Sequence, residues 1–244
     1  MAGEMVTVKQ LNKSYGSHRV IDGLSFTLHE GERLAVFAPS GAGKTTLIKI
    51  LNGLESPDSG RVEVSGANPV TIFQEPRLFP FLTVEENIYL PYKVANRSIT
   101  AEVNRRYQDW MHICELEKFT KHYPYQLSGG MRQKAALVRG LLGQPRFVMM
   151  DEPFQSVNYL AKQALIAHIL ETLPGITILF VTHIVEEIPM LAQQVMFFTD
   201  SCLDTPQYLE AGVLQEKLSQ PNPLIIINEK DKAFPLDVKK KETL

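Results

Sequence analysis

RLAVFAPSGAGKTTLIKILNGL, Arg33 to Leu54, sets an apolar run, a glycine-rich turn and an apolar pattern at helical spacing in that order. The run is short enough for a buried strand, and the leucines and isoleucines that follow recur on one helical face. Strand, loop, helix is therefore the expectation. In the turn, APSGAGKTT, Ala38, Pro39, Ser40, Gly41, Ala42 and Gly43 are small or compact, so consecutive backbone N–H groups can curl around phosphate oxygens at a helix start. Lys44 can reach the outer phosphates, Thr45 can bind Mg²⁺, and Thr46 closes the motif. The intact Gly-Lys-Thr between strand and helix separates it from an ordinary glycine-rich turn. Ala38 stands where the general pattern has its first glycine, and its methyl group fits if φ there is negative.

Outward from this stretch, VTVKQLNKSY and VIDGLSFTLHEGE alternate as short strands, and RVEVSG and PVTIFQ are further strands. From about Pro76 the texture becomes helical, through EENIYLPYKV and AEVNRRYQDWMHICELEKF. After Gly130, MRQKAALVRGLLGQ, LAKQALIAHILETL and VEEIPMLAQQ read as helices alternating with the strands RFVMM, ITILFVTH and VMFF. That alternation predicts a parallel sheet covered on both faces. Past Asp200 only LIIIN looks like a strand, and VKKKETL reads as a solvated tail.

The 244 residues suffice for one large α/β domain with a smaller lobe, and a net charge of −2 does not point to nucleic acid as a partner. Cys114 and Cys202 fit neither a metal-ligand spacing nor a disulfide framework, so both are expected as reduced thiols. MAGEMVTVKQ lacks a basic segment followed by an apolar one, so no export signal is expected, and no apolar run reaches the roughly 20 residues of a membrane span.

FVMMDEPFQSVN, Phe147 to Asn158, ends an apolar run on Asp151 and Glu152. Beside a phosphate-binding loop, Asp151 can serve the Mg²⁺ shell through water and Glu152 the attacking water as general base. Alone, such a pair is more often a helix cap or a surface turn. In YQLSGGMRQKAALVRG, Ser128, Gly129 and Gly130 open a helix whose free N–H groups form a second anion-binding start.

Tyr15, APSGAGKTT, Gln74, LSGGM, FVMMDE and His183 stand in an order and spacing that resembles the nucleotide-binding subunits of ATP-binding cassette (ABC) transporters, over roughly Val6 to Phe198. The resemblance implies an α/β P-loop NTPase (RecA-like) core with an N-terminal antiparallel β lobe and an inserted helical lobe. It places an ATPase domain at about residues 1–200, a helical lobe at about 76–135, and a partly ordered C-terminal extension at 201–244. It also implies ATP and Mg²⁺ as cofactors: Tyr15 would stack on adenine, Gln74 would touch Mg²⁺ and the attacking water, and His183 would hold the γ-phosphate. Judged singly, these three residues could instead be an edge-strand aromatic, a surface amide and a core or loop histidine.

By the same resemblance, two cassettes pair head to tail, and Ser128, Gly129 and Gly130 of one bind the γ-phosphate held by Lys44 of the other. The implied partners are that second ABC subunit, a transmembrane permease and a solute-binding protein, with the chain peripheral on the cytoplasmic face of the cell membrane. QEPRLFPFLTVEENI and LSGGMRQKAALVRG look most like the ATPases of bacterial importers for nitrate, sulfonates and taurine, a subgroup in which methionine at the Met131 position is common. Phe79 to Leu82 would then face the permease, or else form helical-lobe core. Ser156, Val157 and Asn158 replace the usual small residue, leucine and aspartate, and Ile184 a frequent aspartate. These departures bear on substrate class and on the efficiency of coupling, and leave the hydrolytic core intact. The alternatives are an exporter or lipid-transport cassette, a non-transport ABC ATPase, and a cassette that binds ATP while its partner hydrolyses it.

Overall fold

The computed structural model describes residues 3–66, 69–198, 202–213, 224–225 and 234–235. Strands β1 (Glu4–Tyr15), β2 (His18–His29) and β4 (Ser59–Val64) form an antiparallel sheet in the order β2-β1-β4. A second sheet runs β5-β6-β7-β3-β8-β9, comprising β5 (Val70–Ile72), β6 (Phe147–Asp151), β7 (Thr177–Thr182), β3 (Arg33–Phe37), β8 (Gln194–Phe197) and β9 (Gln207–Glu210). Every pairing in it is parallel except the last, β8 with β9.

Strands buried on both faces explain the unbroken apolar runs. Along each strand successive side chains enter opposite layers. Val148, Met150, Ile178, Phe180, Val195 and Phe197 pack in one cluster with helices α2 (Val84–Val94), α3 (Ala101–Ile113), α4 (Gly129–Leu141) and α5 (Tyr159–Thr172). Phe147, Met149, Leu179, Val181 and Met196 pack in the other, with α1 (Lys44–Leu51) and the antiparallel sheet. The expected parallel sheet covered on both faces is present, as is the antiparallel β lobe.

Two helical expectations shorten. The stretch from Ala101 to Phe119 breaks after Ile113, where Glu115 takes a left-handed φ of 56° before a 3₁₀ turn at Glu117–Phe119. The stretch from Val185 to Gln194 is a 3₁₀ turn, Val185–Glu187, then one helical turn, α6 (Ile188–Leu191), because Ala192 is already extended toward β8. β9 is an addition: the four residues QYLE gave too short a pattern to read as a strand. Just before it, Leu203 bridges to Ile21, tying this segment to β2. Of LIIIN, Leu224 and Ile225 form β10, which pairs with β11 (Phe234–Pro235). The rest of LIIIN and the VKKKETL tail lie outside the described residues.

Phe180 is fully buried at the centre of the sheet. Phe180→Ala is expected to cost about 3–5 kcal/mol, read as a lower urea midpoint at unchanged slope.

Candidate functional site

Parallel pairing sends the carboxyl ends of β3, β5, β6 and β7 to one edge of the sheet, where ligands of open α/β sheets bind. Register sharpens the placement. Ile72 pairs with Met150 and Met150 with Phe180, so two residues further on Gln74, Glu152 and Thr182 fall level, with His183 next in sequence. The ladder itself reaches Glu152, whose N–H donates to Val181 O at 3.0 Å. Here Glu152 adopts φ 45°, a left-handed conformation worth about 1–3 kcal/mol of strain in a residue with a side chain.

The result is a cleft of about 590 Å³ lined by Val20, Ser40, Gly41, Gly43, Lys44, Thr45, Thr46, Gln74, Glu152, Gln155 and His183. His183 Nδ1 lies 2.8 Å from Glu152 Oε1. Gln74 Nε2 donates to Gln155 Oε1 at 3.0 Å and approaches Glu152 Oε2 at 3.4 Å. The catalytic carboxylate proposed from sequence is thus held from two sides.

The loop from Ala38 to Gly43 enters α1 through Gly43, which caps the helix at φ 96°. Only glycine fits there: a Cβ would sit 2.7 Å from Val20 O. Ala38 is fully buried and is not among the residues at positive φ, so its methyl group fits as expected. Lys44 is buried, and its ammonium donates to Ala38 O at 2.7 Å and Pro39 O at 2.9 Å. Burial lowers its pKa, while Glu152 and Asp151 pull it upward. Asp151, 2% exposed at the end of β6, has its pKa raised by burial. A hydrogen bond from Thr45 and the charge of Lys44 oppose that rise, and Glu152 adds to it. The donor set of hydroxyl, carboxylate and amide oxygen at Thr45, Asp151 and Gln74 fits a hard divalent cation such as Mg²⁺.

The residues expected from sequence divide into those the cleft gathers and those it does not. Ser128 is the N-cap of α4, accepting from Met131 N at 3.2 Å, and it and Gly129 are exposed outside the cleft lining. Gly130 packs so closely on the loop after Glu152 that a Cβ would meet Ser156 O at 2.5 Å. Tyr15, at the end of β1, is 47% exposed with the Lys13 ammonium 5.3 Å from its ring centre, and it is not among the lining residues. Asn158 caps α5, accepting from Ala161 N at 2.9 Å. Phe79 and Phe81 are exposed, Phe81 at 90%, which removes the core reading for those two. Beneath them the buried Asn87 amide binds the backbone of Phe79, Leu82 and Thr83. Two lining residues had no signal in sequence. Val20 looks like any strand valine, and Gln155 belongs to no pattern around the acids.

A glycine-rich loop opening a helix beside paired carboxylates is the equipment of nucleoside triphosphate chemistry, and the class is that of the phosphate-loop NTPases. The chain belongs to the ABC transporter family: that family's model matches residues 21–155, more than half of the chain. It is 31% identical to the probable sulfate/thiosulfate import ATP-binding protein of Chlorella vulgaris over 91% of this chain and 97% of that protein. It is 34% identical to the aliphatic sulfonates import ATP-binding protein of Bacillus cereus, over 78% of each. Against the spermidine/putrescine import ATP-binding protein of Nitrosomonas europaea the identity is 31% over 78% of this chain, which spans only 56% of that relative's length. Among solved structures, an ATP-binding subunit of an ABC transporter superposes with a TM-score of 0.75 at 26% identity, over 88% of this chain and all of that one. A dimeric ATP-binding cassette in a post-hydrolysis state with ADP and phosphate gives 0.71 at 25%, over 85% of this chain and 99% of that one.

Because Asp151 holds its proton above the ordinary 3.8, the native state binds more protons than the unfolded chain between that value and its own pKa. Stability from this group therefore falls as pH rises through that window and stays reduced above it. Asp151→Asn is expected to raise the melting temperature at pH 7, measured without metal or nucleotide, because the amide carries no charge to bury. The gain should vanish in a melt below pH 3.8, where the carboxyl is protonated in both states.

Proposed function

We propose that the chain is the ATP-hydrolysing subunit of an importer, pairing with a second copy around two Mg·ATP and driving a small solute through a separate permease. The observation that carries the reading is the Glu152 carboxylate, held between His183 and Gln74 in the cleft that the phosphate loop lines. Loop N–H groups from Ser40 to Thr46 and the Lys44 ammonium receive the phosphates. Thr45, Gln74 and, through water, Asp151 would hold Mg²⁺, which neutralises charge on the phosphate oxygens. Glu152 takes the proton of the attacking water, Gln74 orients that water, and His183 contacts the γ-phosphate. Tyr15 serves adenine from the edge of the β lobe.

The second copy is supported by the position of Ser128, Gly129 and Gly130. A helix start with free N–H groups, exposed and outside its own chain's cleft, suits the phosphate of another cassette. The similar cassette solved with ADP and phosphate is dimeric, which supports a second copy. The permease would dock on Phe79 and Phe81 at the edge of the helical lobe of about residues 76–135, an exposed apolar site whose backbone the Asn87 amide binds. No helix among the described residues is long and apolar enough to cross a membrane, and it is the permease that would hold the chain at the cytoplasmic face. The import relatives favour a solute-binding protein as a further partner.

Glu152→Gln is expected to lower ATP turnover by at least about 100-fold, the contribution of a general base, while nucleotide still binds. With Mg·ATP this variant should run as a dimer in light scattering. Hydrolysis at the parent rate would remove the role given to Glu152.

A further inference from the structure

Beneath His183 lies a polar cluster that hydrolysis, as derived above, does not use. Glu187 is 1% exposed, Lys162 8% and Thr182 1%. The Glu187 carboxylate is fully engaged: Lys162 Nζ pairs with Oε1, and the Thr182 hydroxyl donates to Oε2 at 2.8 Å. That same hydroxyl accepts from Ile184 N at 3.0 Å. Both residues flanking His183 are therefore tied to one buried carboxylate, and the carboxylate is tied to the first turn of α5. Upstream, Lys162 donates its backbone N–H to Asn158 O at 2.9 Å, and Ser156, two residues earlier, abuts Gly130 at the start of α4.

We infer that Lys162 and Glu187 are positioning residues: their buried ion pair, relayed through Thr182, fixes His183 against Glu152 and links it to the loop that meets the start of α4. The physical reason is the low dielectric around the pair. Separating the two charges there leaves an unpaired buried ion, so α5 and the His183 turn move together or not at all. A ligand that shifts Ser128 to Gly130 would press on Ser156 and, through α5, displace the His183 turn. Asn158, which lacks the acid's charge but still caps α5, then matters as the start of this linkage rather than as a charge at an interface.

The inference rests on the hydrolytic reading of the cleft. A parent chain that does not hydrolyse ATP defeats that reading, whereas a parent that hydrolyses beside unaffected variants defeats only this one. Removing one charge alone would strand the other, so the variant of choice replaces both, Lys162→Met with Glu187→Leu, an exchange that is often neutral for stability. In the full-length chain with Mg·ATP, kcat is expected to fall by about 10- to 100-fold, as small misplacements of a reacting geometry do, with KM for ATP little changed. Lys162→Arg, which keeps the pair, should retain most of kcat. Thr182→Val should reproduce the loss, Thr182→Ser should not, and Thr182→Val added to the paired replacement should bring no further loss. The proposal is overturned if the paired variant keeps the parent kcat, if its loss and that of Thr182→Val multiply, or if Thr182→Val and Thr182→Ser hydrolyse alike. The Thr182 pair decides the matter should the paired variant not fold.

Discussion

The ladder from β6 through β7 to β3 runs through residues that are mostly inaccessible, so its backbone groups have no partner except each other and the strands beside them. That requirement fixes the register, and parallel register fixes which ends coincide. Asp151 pairs with Val181 and Phe37 with Thr182, so the phosphate loop, the two acids and His183 all leave the sheet at one level. Slipping one strand by a residue would turn every side chain to the opposite layer and move its terminal residue out of the cleft. The site's geometry is in this sense a by-product of the core's need to close.

Charge at that edge is held at a cost. Lys44 and Asp151 are both buried, and each is shifted toward its neutral form by burial while the other's charge opposes the shift. The Lys44 ammonium is held by the carbonyls of Ala38 and Pro39, a bonding pattern that phosphate oxygens can replace with stronger, charged partners. Other polar contacts reach in from the helices. The buried Gln133 amide of α4 donates to Pro153 O at 3.1 Å and to Phe73 O at 3.4 Å, so one side chain touches the segments that carry Glu152 and Gln74. With Ser156 against Gly130, and Lys162 against Glu187, the helical layer grips the loops around the cleft at several points.

Much of this is legible in the sequence. APSGAGKTT announces its own structure because only small residues permit the turn, and the structure puts Gly43 where a Cβ would strike Val20. The β6 and β7 strands were visible as apolar runs because both of their faces are buried. Val20, a buried valine, was invisible as a cleft residue, since what places it there is the packing of β2 against Gly43 of the phosphate loop. Gln155 was invisible because its partner, Gln74, stands 81 residues away. α6 was overestimated because helical periodicity continues in VEEIPMLAQQ while β8 claims its end. Tyr15, placed by family likeness, stands outside the lining of the cleft.

By itself the sequence determined the local chemistry: a phosphate loop, a pair of acids at a strand end, a serine-glycine helix start and the alternation of strands with helices. These follow from short-range sterics and periodicity, which a stretch of roughly ten residues carries in full. Only the tertiary structure decided which of those pieces meet. It brought His183 and Gln74 to the two oxygens of Glu152, left Ser128 facing outward, and buried Lys162 with Glu187 behind the histidine. Such pairings depend on strand order and register, and these are set by the burial of the whole core.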